Sequence, residues 1–358
     1  MRKFFVLVLF FITVFARTEV LESDDKRQEL KCSTLFAKYK HTQKSVANFN
    51  AYTAYKPFLK IAERRFIIPG LDESFVPQGI AFLESINSFM ISGYSDEGGA
   101  AHILTVEYSS GRINGEYKIL KNDGTDFTGH CGGIAVYGRY VYIVDGNNLY
   151  YIESQKFIRK GSGEVMIDGG IKLPCAASYI SVYDGYLWAG NFYHKSFAAN
   201  YDISVFDKYN KLYRAAIVGY RFNNLYDGLI RTDKDTVENT AIPFVVLCAP
   251  GQVQGLAFLS NGDVHLSSSY GRNVMSMQRL YEYPLKKECD AMIKIGRKEV
   301  PAWFLNDDFL KRSVTTFPMS EGVVSRNGKV YIIFESGAKK YRDTATDATD
   351  CVWEMKWE

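Results

Sequence analysis

Five similar stretches of the sequence each place a polar or small side chain directly before a short apolar segment. These residues are Gln78, Gly132, Ser178, Gln254 and Glu321. If the five segments are equivalent strands of a ring, their side chains converge on its axis. Amide, hydroxyl and carboxylate oxygens that meet at one point can hold a small polar ligand or a cation. The alternative is that this column only hydrogen-bonds ordered water and neighbouring strands.

Glu321 and His130 are the side chains of this region suited to acid–base chemistry. Glu321 is the only carboxylate in the column, and a buried carboxylate requires a cation, hydrogen-bond donors or a raised pKa. His130 lies two positions before Gly132, on the same face of its strand, and imidazole titrates near neutral pH. We predict Glu321 as a metal ligand, and Glu321 and His130 as the catalytic candidates. The sequence has neither a Gly-x-Ser-x-Gly nor a His-Glu-x-x-His motif.

A second set of polar side chains follows the second strand of each unit, in loops. Loops on a rigid scaffold concentrate binding residues, so this set joins Gln78, Ser178 and Gln254 as predicted ligand-binding residues. Its members are Tyr94, Asp145, Asn191, Tyr270, Arg272 and Glu335. Tyr270 and Arg272 are suited to clamping an anionic or planar group, while Arg272 is equally suited to pairing with Glu335. Asp145 opens an Asp-Gly-Asn-Asn stretch that is more typical of a turn than of a calcium loop.

The segments that carry these residues are copies of one unit. A Gly or small residue opens a short apolar strand, a turn follows, and a second strand carries aromatic or β-branched residues. The openings are residues 78–82, 132–136, 178–182, 254–258 and 321–324, spaced 46 to 76 residues apart. Further strands follow each pair, with Tyr201–Phe206 predicted as the third strand of the third unit. This pattern predicts an all-β fold, a β-propeller of four-stranded blades.

Five blades can be counted, and a sixth is the alternative. The long gap between the third and fourth copies contains the strand-like Ile242–Leu247, which leaves room for a degenerate blade. The chain ends on a third strand, Val352–Trp357. We predict that Arg65–Ile68 supplies the missing fourth strand. The N- and C-terminal strands would then close the ring within one blade and leave no open sheet edge.

The first residues have the pattern of a secretory signal peptide. Arg2 and Lys3 precede an apolar run, and Ala16 ends a small-residue cleavage pattern. We predict residues 1–16 as the signal peptide, residues 17–59 as a partly helical segment against the ring, and residues 60–358 as the propeller. The apolar run is shorter than the roughly 20 residues of a spanning helix. The predicted location is extracellular, without a membrane span.

Six cysteines in an exported chain indicate disulfide bonds, although six cysteines allow about 15 pairings. The pairing that we predict joins neighbouring blades, ties the fourth blade internally and clamps the N-terminal segment to the last strand. The predicted pairs are Cys131–Cys175, Cys248–Cys289 and Cys32–Cys351.

The net charge and the distribution of basic residues indicate which partners to expect. The formal net charge is +3 and basic residues do not cluster, so the basic surface of a nucleic-acid-binding protein is not expected. The predicted partners are a small polar molecule or an extracellular protein.

Several of these motifs resemble blade openings of known propellers. Val76–Phe82, Val253–Phe258 and Asn327–Ile332 resemble those of the six-bladed regucalcin–gluconolactonase, strictosidine synthase and paraoxonase group. That resemblance implies an axial divalent cation and, in the enzymes of the group, lactone or ester hydrolysis. Ser178–Tyr193 and Ser320–Val323 are similar to openings of the five-bladed calcium-activated apyrases, which again implies calcium.

The sequence thus predicts a secreted β-propeller that binds a small polar ligand or a cation in its axial pocket, in a binding or scaffold role. The alternative is a secreted calcium-dependent hydrolase, either a lactonase or esterase or an apyrase-like nucleotidase. The number of carboxylates on the axis discriminates between the two. One carboxylate favours binding, and three or more favour cation-dependent catalysis.

Overall fold

A short helical segment leads into the first strand. The computed structural model describes residues 53–160, 162–195, 203–223, 228–233 and 239–357. A 3-10 turn, Thr53–Tyr55, precedes helix α1 (Lys56–Ile61). Tyr55 and Phe58 are buried, and the Phe58 ring packs edge-on against the Phe317 ring with centroids 5.7 Å apart. Aromatic packing therefore fixes the end of this segment against the propeller.

The strands of the described residues are short and closely spaced. The first fourteen are β1 (Ala62–Ile67), β2 (Phe75–Leu83), β3 (Ser88–Ser95), β4 (His102–Glu107), β5 (Ile113–Leu120), β6 (Gly133–Tyr137), β7 (Tyr140–Asp145), β8 (Asn148–Glu153), β9 (Gly163–Met166), β10 (Gly169–Lys172), β11 (Tyr179–Tyr183), β12 (Tyr186–Gly190), β13 (Val205–Phe206) and β14 (Leu212–Tyr213). The remainder are β15 (Ala215–Arg221), β16 (Thr232–Asp233), β17 (Thr240–Ala241), β18 (Pro243–Ala249), β19 (Val253–Phe258), β20 (Val264–Ser268), β21 (Ser276–Tyr281), β22 (Ala291–Ile295), β23 (Lys298–Phe304), β24 (Leu310–Thr316), β25 (Ser320–Arg326), β26 (Lys329–Phe334) and β27 (Cys351–Met355). Helices α2 (Gln155–Lys160) and α3 (Lys339–Arg342) and the 3-10 turns Glu84–Ile86 and Pro284–Lys286 lie between them.

These strands form the five blades of a propeller. The sheet orders are β2-β3-β4-β5-β9 in blade 1, β6-β7-β8-β10-β17-β16 in blade 2, β11-β12-β15-β18-β23-β22 in blade 3, β19-β20-β21-β24 in blade 4 and β25-β26-β27-β1 in blade 5. β13 and β14 form a separate two-stranded ribbon. The innermost strands contact one another in sequence around the axis, and β25 of blade 5 contacts β2 of blade 1. The predicted all-β propeller with five blades is confirmed.

The ring is closed by the two ends of the described chain. β1 pairs antiparallel with β27, and Phe66 lies opposite Val352. The prediction that Arg65–Ile68 completes the last blade is therefore confirmed. β27 then has a neighbour on each side, and blade 5 has four strands like blade 4. β1 thus covers the edge that β27 would otherwise expose.

Blade 3 differs from the prediction in its third strand. β12 pairs with β15, so the third strand is Ala215–Arg221 and not Tyr201–Phe206. The part of that range the structure describes lies in the ribbon of β13 and β14. The strand-like Ile242–Leu247 belongs to β18, the fourth strand of the same blade, and does not begin a sixth blade. The prediction of the third strand was wrong because an apolar pattern marks a strand without giving its partner.

Glycines explain why one opening signal recurs. A Cβ built on Gly255 would lie 2.6 Å from the carbonyl oxygen of Glu321, and one on Gly322 would lie 2.8 Å from the carbonyl oxygen of Gln78. The innermost strands of adjacent blades thus approach so closely that only glycine fits. The repeated Gly is a consequence of ring packing at the axis.

The contact between blades 4 and 5 contains a buried network of polar side chains. The hydroxyl oxygens of Ser267 and Ser320 are 2.8 Å apart, and Gln278 Nε2 donates to both. His265 Nε2 and Gln278 Oε1 are 2.9 Å apart. Because each of these buried groups has a partner, the network fixes how the two blades meet without the penalty of an unpaired polar group.

Two of the predicted disulfides are not formed. Cys131, Cys175, Cys248 and Cys289 are free thiols. Cys131 packs in the apolar cluster between blades 1 and 2, and Cys175 packs in the cluster between blades 2 and 3. Cys248 is buried whereas Cys289 is exposed, so neither pair can meet. Position before a strand does not give the direction in which the side chain points, which is why the prediction was wrong.

Several predictions fall on the N-terminal part of the chain. The signal peptide, most of the segment 17–59, and Cys32 with its predicted bond to Cys351 lie outside the described residues. Among the helices that are described, none has the length and apolar character needed to cross a bilayer.

Candidate functional site

Three of the predicted axial residues lie at irregularities of their strands. In blade 1 the pairing passes from Pro77 opposite Gly93 to Gly79 opposite Ser92, so Gln78 is an extra residue. Gln254 of blade 4 is extra in the same way, and Glu321 lies in the irregular stretch of blade 5. Such bulges turn a side chain away from its regular direction and are common beside functional sites.

These bulged residues form a hydrogen-bonded group with a second glutamate. Glu321 is only 3% exposed, and its carboxyl group is hydrogen-bonded to that of Glu335. Gln254 Nε2 donates to Glu321 Oε1 at 3.1 Å. Gln78 Nε2 donates to Glu335 Oε2 at 2.9 Å and to the carbonyl oxygen of Pro77 at 3.0 Å. Blades 1, 4 and 5 therefore meet in one pair of acids flanked by two amides.

Burial favours the protonated forms of both acids. Burial raises the pKa of Glu321 well above its ordinary range, and the charge of Glu335 raises it further. Burial also raises the pKa of Glu335 to about 7, although the hydrogen bond from Gln78 and the charge of Lys340 oppose this rise. Two carboxyls in contact cannot both ionise readily. Burial and the charge of Glu335 therefore favour the protonated form of Glu321, whose hydroxyl would donate the hydrogen bond to Glu335.

A cavity of about 350 Å³ adjoins the acid pair. The predicted residues that line it are Gln78, His130, Asp145, Ser178 and Gln254. Because Gln78 and Gln254 line the cavity and also bind the two glutamates, they connect the acids to its wall. The ring thus brings together the residues that the sequence placed on its axis. The volume lies at the lower end of the range for small-molecule pockets.

His130 in the cavity wall packs against an aromatic ring of blade 1, and residues of blade 5 hold that ring in turn. Its ring stacks on Tyr94 of blade 1 with centroids 4.4 Å apart. The hydroxyl of Tyr94 accepts a hydrogen bond from Lys340 Nζ at 2.9 Å and lies 3.0 Å from that of Tyr341. Burial lowers the pKa of His130, while the charge of Asp145 raises it. Sequence reasoning missed Lys340 and Tyr341, because the short helix α3 gives no repeat signal.

Of the six predicted loop residues, Asp145 lines the cavity and the other five do not. Tyr94 and Glu335 contact residues that line it, as described above. The remaining three have other contacts. Asn191 Oδ1 accepts the backbone N–H of Ala216 at 2.7 Å, which is a structural role. Tyr270 stacks on His194 with centroids 3.8 Å apart. Arg272 donates to Thr344 Oγ1 at 3.1 Å and lies over the Tyr341 ring. Its guanidinium therefore contacts blade 5 through these groups and makes no direct ion pair with Glu335, although its charge lowers the pKa of that carboxyl.

The side chains around Glu321 supply only part of the ligands that a metal ion requires. Calcium takes six to eight oxygen ligands, usually with several carboxylates. Within the described ranges, no three or more His, Cys, Asp or Glu side chains are grouped so that they could hold a metal. Glu321 is joined by one other acid, Glu335, so the remaining ligands would have to come from amides, backbone or water. The residues present do not by themselves make a calcium site.

Comparisons with known proteins give structural similarities but no sequence match. No family model and no curated protein matches this chain. Among solved structures, it is similar to the PQQ-bound aldose sugar dehydrogenase from Streptomyces coelicolor (13% identity, 83% of this chain and 97% of that one, TM-score 0.41). It is also similar to a gluconolactonase from Xanthomonas campestris (11%, 82% and 95%, TM-score 0.36) and to the WD40 β-propeller domain of Doa1 (11%, 83% and 97%, TM-score 0.38).

The fold and the site together define the class of this protein. It is a five-bladed β-propeller with a buried pair of contacting glutamates beside its axial cavity.

Proposed function

We propose that this propeller binds a small ligand that carries positive charge, either a metal ion or an organic cation, in the axial cavity. The acid pair Glu321–Glu335 is the group that receives the charge. On binding, the cation takes the place of a proton held by the pair, so uptake of the ligand releases a proton to solvent.

The contact between the two glutamates carries this proposal. Burial raises the pKa of both carboxyls, and the charge of Glu335 raises that of Glu321 further. A positive charge beside the pair would favour their ionised forms. The cavity of about 350 Å³ is far larger than a single water, which occupies roughly 30 Å³ in the liquid. It therefore has room for a hydrated ion or a small organic molecule.

Thermal unfolding in the presence of calcium chloride or of ethylammonium chloride tests the proposal. The two salts distinguish a site for a metal ion from a site for an organic cation. A ligand at 100 times its Kd stabilises the native state by about 2.7 kcal/mol. We expect one of the two probes to raise the Tm of the native chain and to release a proton. Glu321→Gln should abolish both effects, because it removes the charge while keeping the shape of the side chain.

The control variant is Glu97→Gln, which removes an exposed carboxylate from the loop between β3 and β4. It should respond to the probes like the native chain. A shift that persists in Glu321→Gln, or no shift with either probe, would contradict the proposal.

Hydrolysis is the second candidate function. It is favoured by the pKa of Glu335, which burial raises to about 7, the range in which a general base works near neutral pH. In this function Glu335 accepts a proton from water, and His130 in the cavity wall assists. Assays with chromogenic lactone, ester and nucleotide substrates, with and without calcium, test it. Turnover that is absent, or unchanged in Glu335→Gln, would rule it out.

Secretion remains part of the proposal. It is supported by the signal-peptide pattern of residues 1–16. N-terminal sequencing of the protein recovered from the medium of expressing cells should begin at Arg17. Retention inside the cell with an intact Met1 would contradict this.

A further inference from the structure

A basic groove lies away from the axial cavity, between the N-terminal helix and blade 4. Helix α1 contributes Lys56 and Lys60, and β24 contributes Arg312. Val314 and the ring of Trp357 are among its apolar lining residues. The groove has a volume of about 570 Å³. It thus combines three cations with an apolar wall.

The positive charge of this groove is not balanced by the residues around it. Lys56, Lys60 and Arg312 are exposed, and none of the three has an ion pair or a side-chain hydrogen bond within the ranges that the structure describes. Among the described residues that line the groove, none is an aspartate or a glutamate. Three like charges in one groove repel one another, so an acidic group that entered it would be stabilised.

The chain itself supplies a segment of the matching charge. Thr53, the first described residue, lies in the wall of the groove, so residues 1–52 lead into it. Within them, Glu19–Asp25 (EVLESDD) has four carboxylates, no basic residue and the apolar pair Val20-Leu21. The residues between Asp25 and Thr53 could span up to about 3.3–3.6 Å each when extended. This length reaches any part of the groove.

We propose that the groove binds the acidic segment Glu19–Asp25 of the same chain. Its carboxylates pair with Lys56, Lys60 and Arg312, while Val20-Leu21 contacts the apolar wall beside Trp357. Exposed ion pairs are individually weak. Because the segment is covalently tethered, its effective concentration at the groove is high, so weak pairs suffice. The interaction should weaken as salt is added, since charges are screened over about 8 Å at physiological ionic strength.

Carbodiimide cross-linking of the intact chain tests this proposal, because the reagent joins a carboxylate to a lysine amine only when they are in contact. Mass spectrometry should find links from Glu19–Asp25 to Lys56 or Lys60, formed within one molecule and lost in high salt. Arg312→Glu keeps both lysines but adds repulsion, so the yield should fall by about threefold or more. The matched control is Arg297→Glu, at an exposed arginine between β22 and β23, which should leave the yield unchanged.

Three results would overturn the proposal. The first is a yield at Lys56 and Lys60 no higher than that at the exposed Lys298. The second is a yield that Arg312→Glu does not alter. The third is a set of links that join two molecules in a mixture of isotopically light and heavy protein, which would assign the groove to a second copy of the chain.

Discussion

Trp357 donates its indole N–H to Nδ1 of His265 at 2.9 Å. This bond fixes the tautomer, because His265 must then carry its proton on Nε2, from which it donates to Gln278 Oε1 at 2.9 Å. His265 belongs to blade 4 and Trp357 follows the last strand of blade 5. A neutral, fully buried imidazole therefore fastens the end of the chain across the point where the ring closes.

Acid should weaken this fastening. Burial lowers the pKa of His265 to about 4, against about 6.5 in the unfolded chain. The stability that the neutral ring contributes is present above pH 6.5 and is lost as the pH falls towards 4, by on the order of 3 kcal/mol. Chemical unfolding of the native chain and of His265→Gln between pH 4 and 7 measures the difference. Equal pH dependence of the two proteins would refute this role.

The acid pair should have the opposite pH dependence. Because burial raises the pKa values of Glu321 and Glu335, the folded chain holds protons that the unfolded chain has released. The stability that the two protonated acids contribute to the folded chain is complete below about pH 4.5. It declines as the pH rises through about 7. Relative to Glu335→Gln, the native chain should thus lose stability between pH 4.5 and 8. Glu97→Gln is the control, and a parallel loss in Glu335→Gln would contradict the raised pKa values.

The protonation of His130 should respond to its neighbours. The charge of Lys340 lowers its pKa and the charge of Asp145 raises it. Lys340→Met should therefore raise the pKa, and Asp145→Asn should lower it. NMR titration of the imidazole Cε1 proton measures the pKa of His130 in both variants, and the chain has few other histidines whose signals would overlap. If neither variant moves the titration, His130 does not occupy the wall position described.

Gly255→Ala should destabilise the ring. Its Cβ would lie 2.6 Å from the carbonyl oxygen of Glu321, which is backbone and cannot move aside cheaply. Overpacking of this kind costs about 1–3 kcal/mol. Gly99→Ala is the matched control, because its nearest neighbour is the Ser95 hydroxyl at 3.3 Å, a side-chain atom that can turn away. Denaturant unfolding of the two variants should separate them, and equal stability would count against close packing at the axis.

Removal of the last strand should abolish cooperative folding. Deleting Val352–Glu358 takes most of β27 out of blade 5 and leaves β1 and β26 without their shared neighbour. Trp357→Phe removes only the bond to His265 and should still unfold cooperatively at a lower Tm. Differential scanning calorimetry of both variants measures this. A deletion variant that melts as sharply as the native chain would show that the ring does not depend on its closure.

The sequence predicted those features that depend on local pattern. The Gly-apolar openings identified five blades, and their spacing placed Gln78, Ser178, Gln254 and Glu321 near one axis. The unfinished last unit predicted the pairing of the two terminal strands, which is confirmed. These inferences succeeded because alternation, turn residues and close-packing glycines are imposed by neighbours a few residues away or by the symmetry of the ring.

Only the tertiary structure decided which side chains meet. Glu335 was predicted in a loop and Glu321 on the axis, and nothing in their spacing shows that the two carboxyls touch. The sequence also did not predict the bulges at the axis or the hydrogen bond from Lys340 to Tyr94. Nor did it predict that Cys131 and Cys175 are buried in different interfaces. Each depends on the direction in which a side chain points after the blades have packed. That direction is set by contacts between residues far apart in the chain, which a pattern of residue types does not record.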